Sequence, residues 1–449
     1  MKLHGSMQID EKGHLVIGGC DTVQLVQEFG SPLYVMDEQM VRENCRDYYD
    51  SFTGTYPNSQ VIYASKAFLT TAMCHVIESE GLGLDVVSGG ELFTALKAGF
   101  PVDQIYFHGN NKALDEIKMG LEAKIGRFVS DNTFDSENIN KMAGELRTKA
   151  NVLLRITPGI EAHTHEYIQT GQIDSKFGLV MSNGQAMEGI KRALAMENTN
   201  LRGLHCHIGS QIFELESYQH VAEVMMEFLH KVYRETGRRF EELNLGGGFG
   251  IYYVSGDKPG CVKTYATIVI ETIKRVADEL NYPMPKIIVE PGRSIVGETG
   301  TTLYTVGSVK NIPGVRKYVA VDGGMTDNPR PALYQARYEA VLANKVNAPK
   351  VEEVSIAGKC CESGDMLIWD LHVPAVQSGD ILAVFCTGAY NYSMSSNYNR
   401  ITRPAVVFVT DGHADLVVRR ETLEDIVHND VVPDRMKKSK PLTVVARGK

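Results

Sequence analysis

The sequence predicts an α/β protein: a (β/α)₈ TIM-type barrel joined to a second, mainly antiparallel β domain. Three observations carry that prediction. Eight short runs of β-formers recur between residues 60 and 290, with helical patterns between most of them. After about residue 300 that rhythm is lost, and short β-rich runs punctuated by turn residues take over. At 449 residues, the chain is also too long for one compact core. Residues 38–299 are assigned to the barrel. Residues 1–37 and 300–449 are assigned to the β domain, since the N-terminal strands precede the barrel and need partners. A doubly wound sheet shares this spacing, but eight units favour closure.

Residues 1–37 read as short strands and turns. Ser31 to Met36 is an extended segment opened by Pro32, and Asp37 suits the cap of a following helix. The barrel strands are expected at Gln60–Ala64, Gly83–Val87, Gln104–Phe107, Arg127–Val129, Asn151–Ile156, Leu201–Ile208, Glu242–Leu245 and Lys286–Glu290. Ser88-Gly89-Gly90-Glu91 has capping-box spacing ahead of an apolar-periodic run. Ser217 opens a further helix that Gly237 ends. Beyond the barrel, strands are expected at Thr301–Val306, Lys317–Val321, Val351–Ile356, Asp380–Phe385 and Pro404–Thr410.

Composition narrows the function classes. Net charge is −9 and there is no long basic run, which argues against a nucleic-acid partner. The KKSK stretch, Lys437 to Lys440, reads as a solvated tail. No apolar run approaches the ~20 residues of a membrane span. The N-terminus lacks the apolar core of a signal peptide. The cysteines are scattered without a CxxC pair, and the adjacent Cys360 and Cys361 are ill placed to bridge each other. Reduced thiols and a cytoplasmic location are therefore expected.

The chemistry gathers at strand ends. In QVIYASKAFL, Lys66 stands where a strand pattern gives way to a helical one. The C-terminal end of a barrel strand is where ligands bind. Apolar surroundings there would disfavour the ammonium and leave a nucleophilic amine, suited to a Schiff base with an aldehyde cofactor. Taken alone, Lys66 also fits a solvated strand end. Asp85, in the second strand, is either a second acid near Lys66 or a turn residue. In LHCHIGSQ, His205 and His207 share one strand face and Cys206 takes the other. No companion spacing supports a metal site. Gly246-Gly247-Gly248-Phe249-Gly250 can turn sharply and offer backbone N–H groups to a phosphate, or can be a plain tight turn. The dinucleotide-binding glycine fingerprint is absent from its usual early position. Glu290-Pro291-Gly292-Arg293 sets an acid and a base at the barrel mouth, either as two ligand contacts or as a local ion pair. Arg330, in a proline-flanked loop, suits a carboxylate. Cys361-Glu362-Ser363-Gly364-Asp365 and Gly388-Ala389-Tyr390 read as loops.

Together these motifs are far more specific. YASKA, LDVVSGGEL, HGNNK, HCHIGSQ, GGGFG, EPGRS, PRPALY, CESGD and GAYNYSMSSNYN run in family order from about residue 30 to 425. They resemble the fold type III decarboxylases that use pyridoxal 5′-phosphate, and within them the diaminopimelate decarboxylases. The resemblance implies that Lys66 carries the cofactor and that His207 stacks on its ring. It implies that Gly246, Gly247 and Gly248, backbone near Gly292, and the hydroxyls of Ser210 and Tyr390 hold the phosphate, with Arg293 alongside. Glu290 would pair with the pyridine nitrogen. Arg293, Arg330, Tyr334, Glu362 and Tyr390 would hold the substrate. Cys361 would donate a proton across the interface of a homodimer with shared active sites. Two departures from the family pattern are local: Ala67-Phe68 follows the lysine and Lys359-Cys360 precedes the cysteine.

The implied reaction converts meso-2,6-diaminopimelate to L-lysine and CO₂, the last step of lysine biosynthesis. A far end bearing both a carboxylate and an amine needs two kinds of partner: Arg293 and Arg330 for the first, Glu362 for the second. Ornithine, arginine and carboxynorspermidine decarboxylases are the related alternatives. An arginine-lined distal pocket would repel the cationic far ends of ornithine and arginine. A non-catalytic regulator that binds the cofactor is a different class; it would be expected to lack Lys66 or Cys361, and both are present.

Overall fold

The structure, a computed structural model, describes residues 2–160 and 174–437; Lys438 to Lys440 of the tail lie outside the described residues. Eight parallel strands close into a barrel. They are β1 (Ser59–Ala64), β2 (Gly83–Val86), β3 (Ile105–Phe107), β4 (Arg127–Ser130), β5 (Ala150–Thr157), β6 (Thr199–His205), β7 (Glu242–Asn244) and β8 (Lys286–Val289). Closure comes from β8 pairing with β1, Val289 opposite Val61. The strands match the expected set to within three residues at either end. The largest difference is β6, which stops at His205 and leaves His207 in the following loop.

Strand alternation builds the interior. Ile62, Tyr106, Val129, Leu153 and Ile288 meet inside the barrel, while Val61, Leu84, Phe107, Leu154, Leu243 and Val289 face outward to the helices. Two residues further along the same inward faces stand Ala64, His108, Arg155 and Glu290. The apolar plug thus forms the floor beneath a polar layer at the C-terminal mouth.

Local chemistry explains the surrounding helices. Asp37 caps the helix Glu38–Phe52, accepting Met40 N–H at 3.1 Å. Ser88 caps Gly89–Lys97, but Glu91 does not close a capping box. Its carboxylate accepts Val87 N–H at 2.7 Å and Ser65 Oγ–H at 3.0 Å, which ties the helix to the segment that carries Lys66. The helix expected from Ser217 begins two residues earlier and spans Leu215–Thr236, ended by Gly237 in a left-handed conformation.

The second sheet is nine-stranded and mixed. Its spine is the long strand Gly300–Ile312, which pairs antiparallel with Leu33–Asp37, Arg316–Val321 and Ile381–Val384. Two pairings are parallel, Arg316–Val321 with Glu352–Ala357 and Leu33–Asp37 with Ala405–Thr410. Met366–Val373 and His413–Val418 were not anticipated, since each mixes exposed polar with apolar positions. Of the N-terminal strands only Leu33–Asp37 joins this sheet. The others form a separate three-stranded sheet, and Thr22–Phe29, which follows the last of them, is an unanticipated helix capped by Asp21. Leu33–Asp37 is buried on both faces: Tyr34 and Met36 pack on the barrel core, Leu33 and Val35 on the other.

Candidate active site

A cavity of about 450 Å³ opens at the C-terminal mouth. Lys66, His207, Ser210, Glu290, Arg293, Arg330, Tyr334 and Tyr390 all line it, together with Asp85, His108, Arg155 and His205. A smaller adjoining recess is lined by Gly247 and Gly248 along with Lys66, Ser210, Arg293 and Tyr390. Residues from nine separate stretches of sequence therefore meet in one place.

Lys66 sits in a single helical turn, Ser65–Ala67, just past β1. The expected apolar surroundings are not found. Lys66 is exposed to the cavity, and its charge acts on the buried carboxylate of Asp85 and the half-buried carboxylate of Glu91. Asp85 is pushed up to about 6 by burial, against the pull of His108 and Lys66. It is the second acid near Lys66, not a turn residue.

Glu290 stands on the barrel axis side of β8, buried. Asn244 Nδ2 donates to its Oε1 at 2.6 Å, and His205 Nε2 lies 3.2 Å from its Oε2. His108 Nε2 is 2.9 Å from Oε1 without hydrogen-bonding geometry. Burial pushes Glu290 upward, yet His108 and His205 together hold it well below the usual carboxylate range. Burial drives His205 down to about 4 despite Glu290, so the neutral ring donates through Nε2. His108 moves the other way: Asp85 and Glu290 outweigh burial and raise it above its ordinary value. The local ion pair between Glu290 and Arg293 does not form. Arg293 turns instead to Ser210 Oγ at 2.8 Å and Tyr253 Oη at 2.7 Å, with its guanidinium 4.9 Å from the Tyr390 ring centre.

His207 Nδ1 accepts Gly247 N–H at 3.2 Å, which fixes the ring against the glycine loop, and burial holds its pKa well below the ordinary imidazole value. Only glycine fits at 247, where a Cβ would lie 2.1 Å from the Glu290 carbonyl oxygen. Gly292 packs against Ala64, whose side chain a Cβ there would meet at 2.9 Å. Arg330 is not in a loop but opens a short helix, Arg330–Tyr334. Its Nη1 donates to Tyr338 Oη at 2.6 Å, and its guanidinium lies 5.1 Å from the Tyr253 ring centre.

Cys361 and Glu362 do not join this set. Both are exposed, and neither lines the cavity of its own chain. Asp365 shapes their loop, accepting Cys360 N–H at 2.8 Å and Met325 N–H at 2.6 Å. Sequence reasoning assigned no role to His108, Asn244 or Arg155, and none to His205 beyond its strand face. Strand parity was the available signal, since each lies on the inward face of its strand.

A family model described as "Pyridoxal-dependent decarboxylase, pyridoxal binding domain" matches residues 39–297. A diaminopimelate decarboxylase of Bacillus subtilis (strain 168) is 53% identical over 96% of this chain and 98% of its own length. The chain belongs to the diaminopimelate decarboxylase family. The Synechocystis diaminopimelate decarboxylase is 44% identical over 95% of this chain and 92% of its own. A crystal structure of diaminopimelate decarboxylase from M. jannaschii, in co-complex with L-lysine, superposes with a TM-score of 0.90 at 38% identity, covering 96% of this chain and 99% of that one. Membership in the diaminopimelate decarboxylase family makes the chain a carbon–carbon lyase, as the motifs led us to expect.

The cavity of this diaminopimelate decarboxylase family member fits the pyridoxal cofactor that the matched model names. It offers an amine at Lys66, an ionised carboxylate at Glu290 and a glycine loop whose cradle a Cβ would fill. Among the described residues no helix is long and apolar enough to cross a membrane.

Proposed function

We propose that this chain decarboxylates meso-2,6-diaminopimelate to L-lysine and CO₂ with pyridoxal 5′-phosphate as cofactor. The observation that carries this reading is a single cavity holding Lys66, an ionised Glu290 and the arginines Arg293 and Arg330. When bound, the cofactor supplies a protonated ring that accepts the electron pair left as CO₂ departs. Lys66 would hold the cofactor through its amine and would free the product. Glu290 favours a proton on the ring nitrogen. His207 would pack against the ring, and Gly246 to Gly248, Ser210, Arg293 and Tyr390, with backbone near Gly292, would hold the phosphate. Arg330 and Tyr334, with Arg293 and Tyr390, face the substrate. Arg330, buried and held by Tyr338, is aimed as a fixed cation at the far carboxylate.

The exposed position of Cys361 and Glu362, away from their own cavity, supports a homodimer in which the partner subunit's Cys361 and the partner subunit's Glu362 complete each site. There, the thiol delivers a proton to the reacting carbon. We take residues 38–299 as the cofactor-binding barrel, and 1–37 with 300–449 as the domain carrying the dimer and substrate contacts. The unbridged cysteines support a cytoplasmic setting.

A panel of diaminopimelate, ornithine, arginine and carboxynorspermidine, scored by CO₂ release with and without added cofactor, tests the reading. Cofactor-dependent release from diaminopimelate is expected. Release from ornithine or arginine alone would overturn it.

A further inference from the structure

Asn244 ends β7 with its side chain inside the barrel, fully buried. Both ends of its amide are engaged. Nδ2 donates to Glu290 Oε1 at 2.6 Å, and Oδ1 accepts Gly246 N–H at 2.9 Å. These partners settle the orientation of the amide, because an ionised carboxylate only accepts and a backbone N–H only donates. Gly246 opens the glycine loop, at φ +70, and its own carbonyl accepts Glu290 N–H at 2.8 Å. One small side chain thus spans the Glu290 carboxylate and the start of the glycine loop, and Glu290, Gly247 and Gly248 all line the smaller recess.

Glu290 has competing donors. His205 stands at Oε2 and His108 at Oε1. Without Asn244 the carboxylate is free to rotate toward either ring, and the Gly246 N–H loses its acceptor in a buried place. We infer that Asn244 is a positioning residue that couples the Glu290 carboxylate to the Gly246–Gly248 loop, so that the ring nitrogen and the phosphate of the cofactor are recognised as one unit. This rests on the cofactor assignment proposed above.

The test is binding to cofactor-free protein by equilibrium dialysis, with three probes. They are pyridoxal 5′-phosphate, its 1-deaza analogue with carbon in place of the ring nitrogen, and pyridoxal without phosphate. Asn244→Leu keeps the shape and removes both hydrogen bonds. Asn244→Asp keeps an acceptor for Gly246 and sets a second carboxylate oxygen against Glu290. For Asn244→Leu, affinity for pyridoxal 5′-phosphate should fall roughly tenfold or more, the loss expected for a hydrogen bond to a buried charge. Its preferences for ring nitrogen and for phosphate should both shrink. Asn244→Asp should lose the preference for ring nitrogen and keep that for phosphate.

A common weakening of all three probes by Asn244→Leu, with both preferences intact, would reduce Asn244 to packing and overturn the inference. If Asn244→Leu does not fold, Asn244→Asp decides alone. Its retention of both preferences, or equal loss of both, would overturn the coupling. Wild-type protein that ignores the phosphorylated cofactor would instead overturn the proposed function.

Discussion

Lys112 and Asp135 form an ion pair beneath the cavity wall, Nζ to Oδ2 at 2.7 Å, with both side chains buried. The same ammonium donates to the carbonyls of Gly109, at 2.9 Å, and Val129, at 2.8 Å. The loop after β3, which carries His108 and lines the cavity, is thereby fastened to β4. Lys112→Met would strand Asp135 as an unpaired buried charge, a loss of about 3–5 kcal/mol. Urea unfolding should show a midpoint well below wild type. Adding Asp135→Asn should restore part of the loss, and an unchanged midpoint for Lys112→Met would contradict this account.

The proposed point of cofactor attachment is Lys66. Lys66→Ala should remove the visible absorption that survives dialysis, and borohydride treatment of wild type should leave the label on the peptide containing Lys66. An unchanged spectrum in the variant would move the attachment to another side chain.

Cys361 should matter to turnover and not to cofactor binding. Cys361→Ala is expected to keep the visible spectrum while turnover falls by at least 10²-fold, as for loss of a positioned proton donor. Lys66→Ala and Cys361→Ala chains, each inactive, should complement when mixed. A heterodimer holds one intact site in two, so equal mixing should restore about a quarter of the wild-type sites. No recovery after verified subunit exchange would rule out a site completed by the partner.

The role proposed for Arg330 is discrimination at the substrate's far end. Arg330→Gln should cost diaminopimelate roughly 10–10²-fold in kcat/KM, the range for a lost charge-assisted hydrogen bond, chiefly through KM if the contact is equal in ground and transition states. The penalty against a cationic far end should shrink in the same variant. Equal loss for diaminopimelate and ornithine would place Arg330 away from that end.

His205 gives a pH dependence of definite sign. Its folded value is driven down to about 4 by burial, below the unfolded value near 6.5. Between those values the unfolded chain binds a proton that the folded chain refuses, so stability falls as pH drops from about 6.5 to about 4. The slope is about 1.4 kcal/mol per pH unit for one fully unprotonated group. His205→Gln retains a donor for Glu290 and does not titrate. It should flatten the stability profile over that window. An identical slope would mean that His205 is protonated in the folded protein.

Much of the site was legible in the sequence because its chemistry sits at strand ends in short, characteristic words. YASKA announced Lys66, GGGFG the loop that admits no side chain at 247, and EPGR the acid and base at the barrel mouth. The barrel itself was legible from eight spaced β-runs, because period-two burial and helical period leave different marks. Element ends were less so. β6 stops two residues before His207, and the helix begins at Leu215 ahead of Ser217 with no side-chain cap to mark its start.

The sequence by itself pointed to the loops and strand ends where candidate groups such as Lys66, Glu290 and Arg293 lie, and to the shared face of His205 and His207, since alternation along a strand is a local property. Only the tertiary structure decided who meets whom. Closure of β8 on β1 carries Glu290 to His108, His205 and Asn244, residues from β6, β7 and the end of β3, and turns Arg293 from Glu290 to Ser210. Those encounters depend on strand tilt and stagger around a closed sheet, which no single segment encodes. For the same reason Lys66 proved open to the cavity beside carboxylates, where strand pattern alone had suggested an apolar seat.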